Sequence, residues 1–322
     1  MPTVLFSQDP TPHSRLANSL LWMARCQGEA QAAGLHTRLH FPWAAEMFQD
    51  FLAPSSPWLA PPGEAADLFA RISDTPLSAT ALAAFSHQMS GENTSRAMGG
   101  GPGAPTAKLT RQHRAGVTFV WGSGEGLMFR EALDAAAGAD LLVLHEPFGF
   151  HYGRPRFPTK NLGPLAPSRG AIVEARQRQA QLNPERRPAC GLHIRRGDYA
   201  HWRDGEFFYP DAIWRDLCQQ QLAGGAHVSL FSNEPQGALC RSLVDLGAHL
   251  CGGSAAEDLI RMMVMDQVIG PPSTFPVVAR MLARFCLGRS LKVERLGTVA
   301  QVTAGADPRQ QSLLEWGEQS AL

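Results

Sequence analysis

Apolar positions along this chain fall into short unbroken runs that alternate with longer stretches repeating every third or fourth residue, the pattern of buried strands each followed by an amphipathic helix. Thr3 to Phe6 predicts a first strand. A helical repeat from about Leu16 to Ala33, closed by Gly34, and a second strand from Leu35 to Phe41 follow it. Between about 42 and 116 the rhythm fails, with prolines at 54, 57, 61, 62 and 76 and a glycine-rich stretch from Gly99 to Gly103, so an irregular insertion is expected there. The rhythm returns as strand Val117 to Trp121, helix Glu125 to Ala137 and strand Asp140 to His145.

A second break, rich in proline and glycine from Gly153 to Pro167, divides the chain into an expected N-terminal domain over 1–155 and a C-terminal domain over 170–322. Past it the alternation is regular. Helix Ala171 to Leu182, strand Ala189 to Ile194, helix Asp211 to Leu222, strand His227 to Phe231 and helix Gln236 to Leu246 come first. Strand Ala248 to Cys251, helix Ala255 to Met265, strand Gln267 to Gly270 and helix Phe275 to Leu287 complete the series. Strands and helices taking turns through short connections predict a parallel, doubly wound α/β sheet, and two such halves predict a cleft enzyme.

Composition narrows function more than fold. The 322 residues are 44% hydrophobic and 18% charged, enough apolar material for a large core, which excludes a disordered chain. Lys plus Arg (29) balances Asp plus Glu (29), so no bulk field selects a nucleic acid, and no such partner is expected. All but three of those cations (Lys108, Lys160 and Lys292) are arginines, the side chain whose rigid fork grips phosphate or carboxylate. Six cysteines lie scattered through apolar stretches, which argues against a zinc site or a disulfide framework and for a reducing compartment. The opening residues lack a basic flank and are broken by Asp9 and Pro10, and no apolar run is long enough to span a bilayer. A cytoplasmic protein is expected.

Three segments carry candidate chemistry. Gly191-Leu192-His193-Ile194-Arg195-Arg196-Gly197-Asp198-Tyr199 ends an apolar strand with a histidine, two arginines and an acid, at the carboxyl edge where open α/β sheets bind ligands. Paired arginines there suit a diphosphate, Gly197 permits the turn and Asp198 would orient a guanidinium; a solvent-facing turn with an ion pair is the plainer alternative. In Pro271-Pro272-Ser273-Thr274-Phe275-Pro276, Ser273 and Thr274 either hold an anion at a helix start or simply cap it. Phe231-Ser232-Asn233-Glu234-Pro235 again follows a strand, leaving Asn233 and Glu234 for a base, a ribose or a cap. The three together describe a nucleoside-diphosphate site. No Asp-x-Asp occurs, the nearest string being Asp204-Gly205-Glu206, so no metal is expected and cationic side chains would stabilise any leaving group. In the N-terminal half, Gly122-Ser123-Gly124-Glu125-Gly126 falls short of a dinucleotide fingerprint and reads as a tight turn, while His145, Glu146, His151 and Tyr152 are candidates to meet an acceptor.

The segment from His193 to Tyr199 resembles the His-x-Arg-Arg-Gly-Asp-Tyr motif of the α1,2-fucosyltransferases, relatives of the α1,6- and protein O-fucosyltransferases. Glu257-Asp258-Leu259-Ile260-Arg261 and the residues that lead on to Ser273-Thr274-Phe275 are similar to that family's later motif. Ser14-Arg15-Leu16-Ala17-Asn18-Ser19 is similar to its N-terminal Gly-Arg-Leu-Gly-Asn-Gln loop. The resemblance runs from about residue 13 to 288 and is most specific between 189 and 288. It implies a GT-B fold, with two Rossmann-like domains facing a cleft, GDP-fucose as donor held mostly by the C-terminal one, no cofactor or metal, and inversion at the sugar carbon during transfer to a glycan. By position it implies that Arg195 holds the β-phosphate and stabilises departing GDP, with Arg196 supporting it. His193, Asn233 and Glu234 would meet the guanosine, Ser273, Thr274 and Phe275 would line the diphosphate, and Asp198 and Asn18 would support the site. Asp204 and Glu206, in the loop after the clamp, are candidates for the general base, with surface acids as the alternative. A lipid-linked acceptor would add peripheral membrane contact.

The sequence also departs from that pattern. Ser14, Ala17 and Ser19 replace both glycines and the glutamine of the N-terminal loop, Pro272 replaces an asparagine, and Asn233 stands where relatives often carry Asp, a better acceptor for two guanine N–H groups. The last change leaves another nucleotide sugar open as donor. The first leaves open a non-catalytic member that binds a glycan or nucleotide without turnover.

Overall fold

The computed structural model describes residues 3–7, 16, 17, 20, 36–40, 108–114, 117–123, 141–145, 166–304, 309 and 310. The chain divides into two compact units, Met1–Pro164 and Leu165–Leu322. In the first, the described strands are β1 (Thr3–Ser7), β2 (His36–His40), β3 (Lys108–Arg114), β4 (Val117–Ser123) and β5 (Leu141–His145). A parallel sheet has the order β2-β1-β5, with Thr3 opposite both His36 and Leu141. Strands β3 and β4 pair antiparallel as a separate ribbon, Lys108 opposite Ser123 and Arg114 opposite Val117. The ribbon corrects the sequence reading twice: β3 lies inside the stretch expected to be irregular, and β4 belongs to the ribbon instead of the parallel sheet. Strand β3 has Leu109 as its only aliphatic residue, so no alternation of apolar and polar positions marks it. Leu16, Ala17 and Leu20 are helical and buried, at the spacing of one helix face. Asn18, the rest of the Leu16 to Ala33 helix, the Glu125 to Ala137 helix, Glu146, His151 and Tyr152 lie outside the described residues.

The second unit begins with α1 (Arg169–Leu182), β6 (Ala189–Ile194), α2 (Asp211–Ala223), β7 (His227–Ser232), α3 (Ala238–Asp245) and β8 (His249–Leu250). It continues with α4 (Ala255–Met263), β9 (Gln267–Gly270), α5 (Thr274–Leu287), β10 (Lys292–Leu296), α6 (Val299–Thr303) and β11 (Arg309–Gln310). Every strand and helix expected between 171 and 287 is present, and the ends that shift do so for local reasons. Helix α3 starts later than expected because Pro235 to Gly237 makes a turn, with the Gly237 N–H donating to the Glu234 carbonyl at 3.0 Å. Helix α4 stops at Met263, and Arg289 donates to the carbonyls of Val264 and Met265 just beyond it.

The sheet has the order β11-β10-β9-β6-β7-β8 and is parallel except for β11. The chain builds outward from β6 through β7 to β8, then returns to lay β9 on the other side of β6, so the winding direction reverses between β6 and β9. All six residues of β6 are buried, as a central parallel strand covered on both faces requires. Leu192 pairs with Leu230 and Ile269, and burial of each such side chain contributes about 1.5–3 kcal/mol. Caps fix the helices around this core. Ser254 and Glu257 form a reciprocal capping box on α4. Ser273 caps α5, Pro276 occupies its first turn where an N–H has no intrahelical partner, and Gly288 closes it in the left-handed conformation.

Candidate functional site

Where strand order reverses, the loops after the two flanking strands part in opposite directions and leave a crevice at their carboxyl ends. In this sheet those loops are Arg195 to Ala200, after β6, and Pro271 to Ser273, after β9. The two strand ends approach closely. A Cβ at Gly270 would lie 2.7 Å from the His193 carbonyl oxygen, a separation that only glycine permits. His193 stacks on Phe275 of α5, ring centroids 5.7 Å apart and planes within 9°. The Tyr199 hydroxyl donates to the Pro272 carbonyl, and so joins the two loops directly.

The two adjacent arginines have different surroundings. Arg195 donates through Nη2 to Asp198 Oδ2 at 2.9 Å and lies over the Tyr199 ring, 5.6 Å from its centroid. Its side chain is 16% exposed and its Nε is buried with no protein partner, so part of the fork is uncommitted. Arg196 donates to the Tyr209 carbonyl at 3.0 Å, pairs with Asp211 at 3.2 Å and stacks over Phe208 at 4.3 Å. These contacts tie its guanidinium to the loop before α2 as a strut.

Asn233 holds the same loop from the β7 side. Its Oδ1 accepts the Arg196 N–H at 2.8 Å, and its Nδ2 donates to the Arg196 carbonyl at 3.2 Å. Both ends of the amide are thus engaged by the main chain of one residue. A Cβ at Gly197, whose φ is +59°, would sit 3.3 Å from both Asn233 Nδ2 and Glu234 Oε1, so glycine there serves the left-handed turn and the close approach together. Glu234 is exposed, and its N–H donates to Ser232 Oγ at 3.0 Å. The Ser273 hydroxyl accepts the Phe275 N–H at 3.3 Å, and Thr274 is the first residue of α5. Asp204 and Glu206 are exposed beyond the clamp; Glu206 lies 3.9 Å from Arg203, and its carbonyl accepts the Val299 N–H. Arg203 and Asp204 both adopt positive φ, a strained pair that turns the chain back into the core at Phe207.

Burial, reinforced by the Arg195 charge, drives the His193 imidazole down to about 3, and neither ring nitrogen has a protein partner. A neutral ring with unsatisfied nitrogens at a ligand edge is equipped to hydrogen-bond a ligand.

No protein-family model and no curated protein matches the chain. Solved structures do. The fucosyltransferase NodZ from Bradyrhizobium is 14% identical to it, over 92% of this chain and 95% of its own, with a TM-score of 0.52. A structure of NodZ α1,6-fucosyltransferase soaked with GDP-fucose is 12% identical over the same shares, with a TM-score of 0.50. The fold is α/β and GT-B-like.

The second unit also holds groups that the sequence reading did not single out. Asp258, near the start of α4, is buried, and its carboxyl is pushed up to about 7 by burial, against the opposing pull of Arg261 and the Gly253 N–H. It follows the turn Cys251 to Ser254 that leaves the carboxyl end of β8. Its signal in the sequence is an acid on the apolar face of α4, flanked in the structure by buried Leu259 and Met262. Tyr199 and Tyr209 were also missed as support for the clamp, because phenols that bond to main-chain carbonyls carry no spacing signature. Among the described residues no helix is long and apolar enough to cross a membrane.

Proposed function

We propose that this protein is an inverting, metal-independent glycosyltransferase that moves fucose from GDP-fucose to a hydroxyl of a glycan acceptor. The observation that carries the reading is the placement of the Arg195 fork after β6 and the start of α5 after β9, the two neighbouring strands between which the winding reverses. A diphosphate in that crevice meets a held guanidinium on one side and, on the other, the positive end of a helix whose capping Ser273 hydroxyl can donate to it. NodZ, which shares the fold, was soaked with GDP-fucose.

In the transfer, the acceptor oxygen bonds to the anomeric carbon as that carbon's bond to the β-phosphate oxygen breaks. The electron pair departs on GDP and the hydroxyl proton goes to a base. Arg195 is the group assigned to the charge growing on the phosphate, an interaction that strengthens toward the transition state. Arg196, through Tyr209 and Asp211, holds the loop that presents it, and Asp198 sets the guanidinium's orientation. Asp204 and Glu206 are the candidates for the base. With the Asn233 amide committed to Arg196, the acceptors assigned to a nucleobase are Glu234 and the neutral His193 ring.

The same commitment favours a second reading, transfer from another nucleotide sugar by the same clamp. Incubating the purified protein with GDP-fucose, UDP-sugars and CMP-sugars, with and without an acceptor array, separates the two. Release of GDP from GDP-fucose, lost in Arg195→Ala, is the expected result; turnover confined to a UDP- or CMP-sugar moves the assignment to the second reading.

A further inference from the structure

Tyr199 joins the two loops that a diphosphate would touch, yet it lies outside the groups assigned to the ligand. It is 8% exposed and sits in the short helical turn Gly197–Ala200 that directly follows the arginines. Three contacts converge on its side chain. Trp202 packs against the ring with centroids 4.8 Å apart, the Arg195 guanidinium lies over it, and the hydroxyl donates to the Pro272 carbonyl next to the cap of α5. The receiving loop is built from Pro271 and Pro272, residues with fixed φ and no N–H, so a carbonyl is what it can offer a tether.

We propose that Tyr199 is a positioning residue: its hydroxyl sets the separation between the clamp loop and the start of α5, and its ring supports the Arg195 guanidinium above it. The consequence is specific. Arg195 and the Ser273 hydroxyl at the start of α5 are presented to the two ends of one diphosphate, so their spacing matters for a ligand that spans both. A monophosphate, which reaches less of the clamp, depends on the spacing less. Holding that bond also turns the Pro272 carbonyl, a negative dipole, toward the phenol and into a satisfied contact. The inference rests on the proposed nucleoside-diphosphate reading of the crevice.

Tyr199→Phe keeps the ring and removes the tether. Its test is the full-length variant beside the wild type, with GDP and GMP affinities by calorimetry, amide hydrogen exchange of the free proteins, and urea unfolding. The expected result is faster exchange in residues 195–204 and 271–276, with an unfolding midpoint close to wild type. GDP affinity should fall by about tenfold, the equivalent of one lost hydrogen bond, while GMP affinity falls by much less. Unchanged exchange in both loops overturns the inference. So does an equal loss for GDP and GMP, which is the behaviour of a residue that serves stability alone. A wild type without preference for GDP overturns the functional reading instead, and loop exchange in the same variant then reports on the tether independently of any ligand.

Discussion

Burial keeps the His193 imidazole neutral down to about pH 3, whereas an unfolded chain protonates it near 6.5. Between those values the unfolded state binds more protons, so this group removes stability as pH falls through that window. Asp258 acts in the opposite sense. Its folded carboxyl holds its proton up to about 7 and the unfolded one only to 3.8, so over that window the folded state binds more protons and stability declines as pH rises. Urea midpoints measured from pH 4 to 8 are expected to show both slopes: His193→Gln should flatten the acid-side loss, and Asp258→Asn should flatten the decline toward neutrality. At this scale the sequence was partly legible. The Arg195-Arg196 pair marked the clamp, but two identical side chains gave no hint that one would be spent on Tyr209 and Asp211. Asn233 was similarly visible as a polar residue at a strand end, whereas its bond to the Arg196 peptide depends on how far apart β6 and β7 lie.

Elements were the most legible level. Between 171 and 287 each strand is a short apolar run and each helix has a punctuating residue, from Ser254 and Ser273 at starts to Gly288 at a close. Strand β3 was not legible, because its pairing with β4 comes from backbone geometry and its composition is polar. The close approach of β6 and β9 makes a sharper prediction. Gly270→Ala places a methyl 2.7 Å from the His193 carbonyl oxygen and 3.0 Å from its Cβ. Main-chain atoms at the centre of a sheet cannot move aside cheaply. The variant should lose about 1–3 kcal/mol of unfolding free energy in urea, and its GDP affinity should weaken as His193 shifts against Phe275.

For the whole molecule, the second unit has its own six-stranded sheet and its own core. Residues 165–322 expressed alone are therefore expected to give a dispersed amide NMR spectrum and a cooperative urea transition, and to bind GDP while failing to transfer sugar. The chain's zero formal charge fits such a site. A diphosphate in a crevice needs a local cation, presented here by Arg195 and backed by Asp198, and no field from the whole surface. The central claim is that this crevice takes a guanosine diphosphate through Arg195. Calorimetric titration of the full chain with GDP, UDP and CMP, and of Arg195→Ala with GDP, tests it most directly. The account predicts GDP affinity at least about tenfold above the others and a loss of roughly 30-fold or more in the variant, as removal of one partner from a buried charged contact requires. Equal affinity for the three nucleotides, or GDP binding that survives Arg195→Ala unchanged, would contradict it.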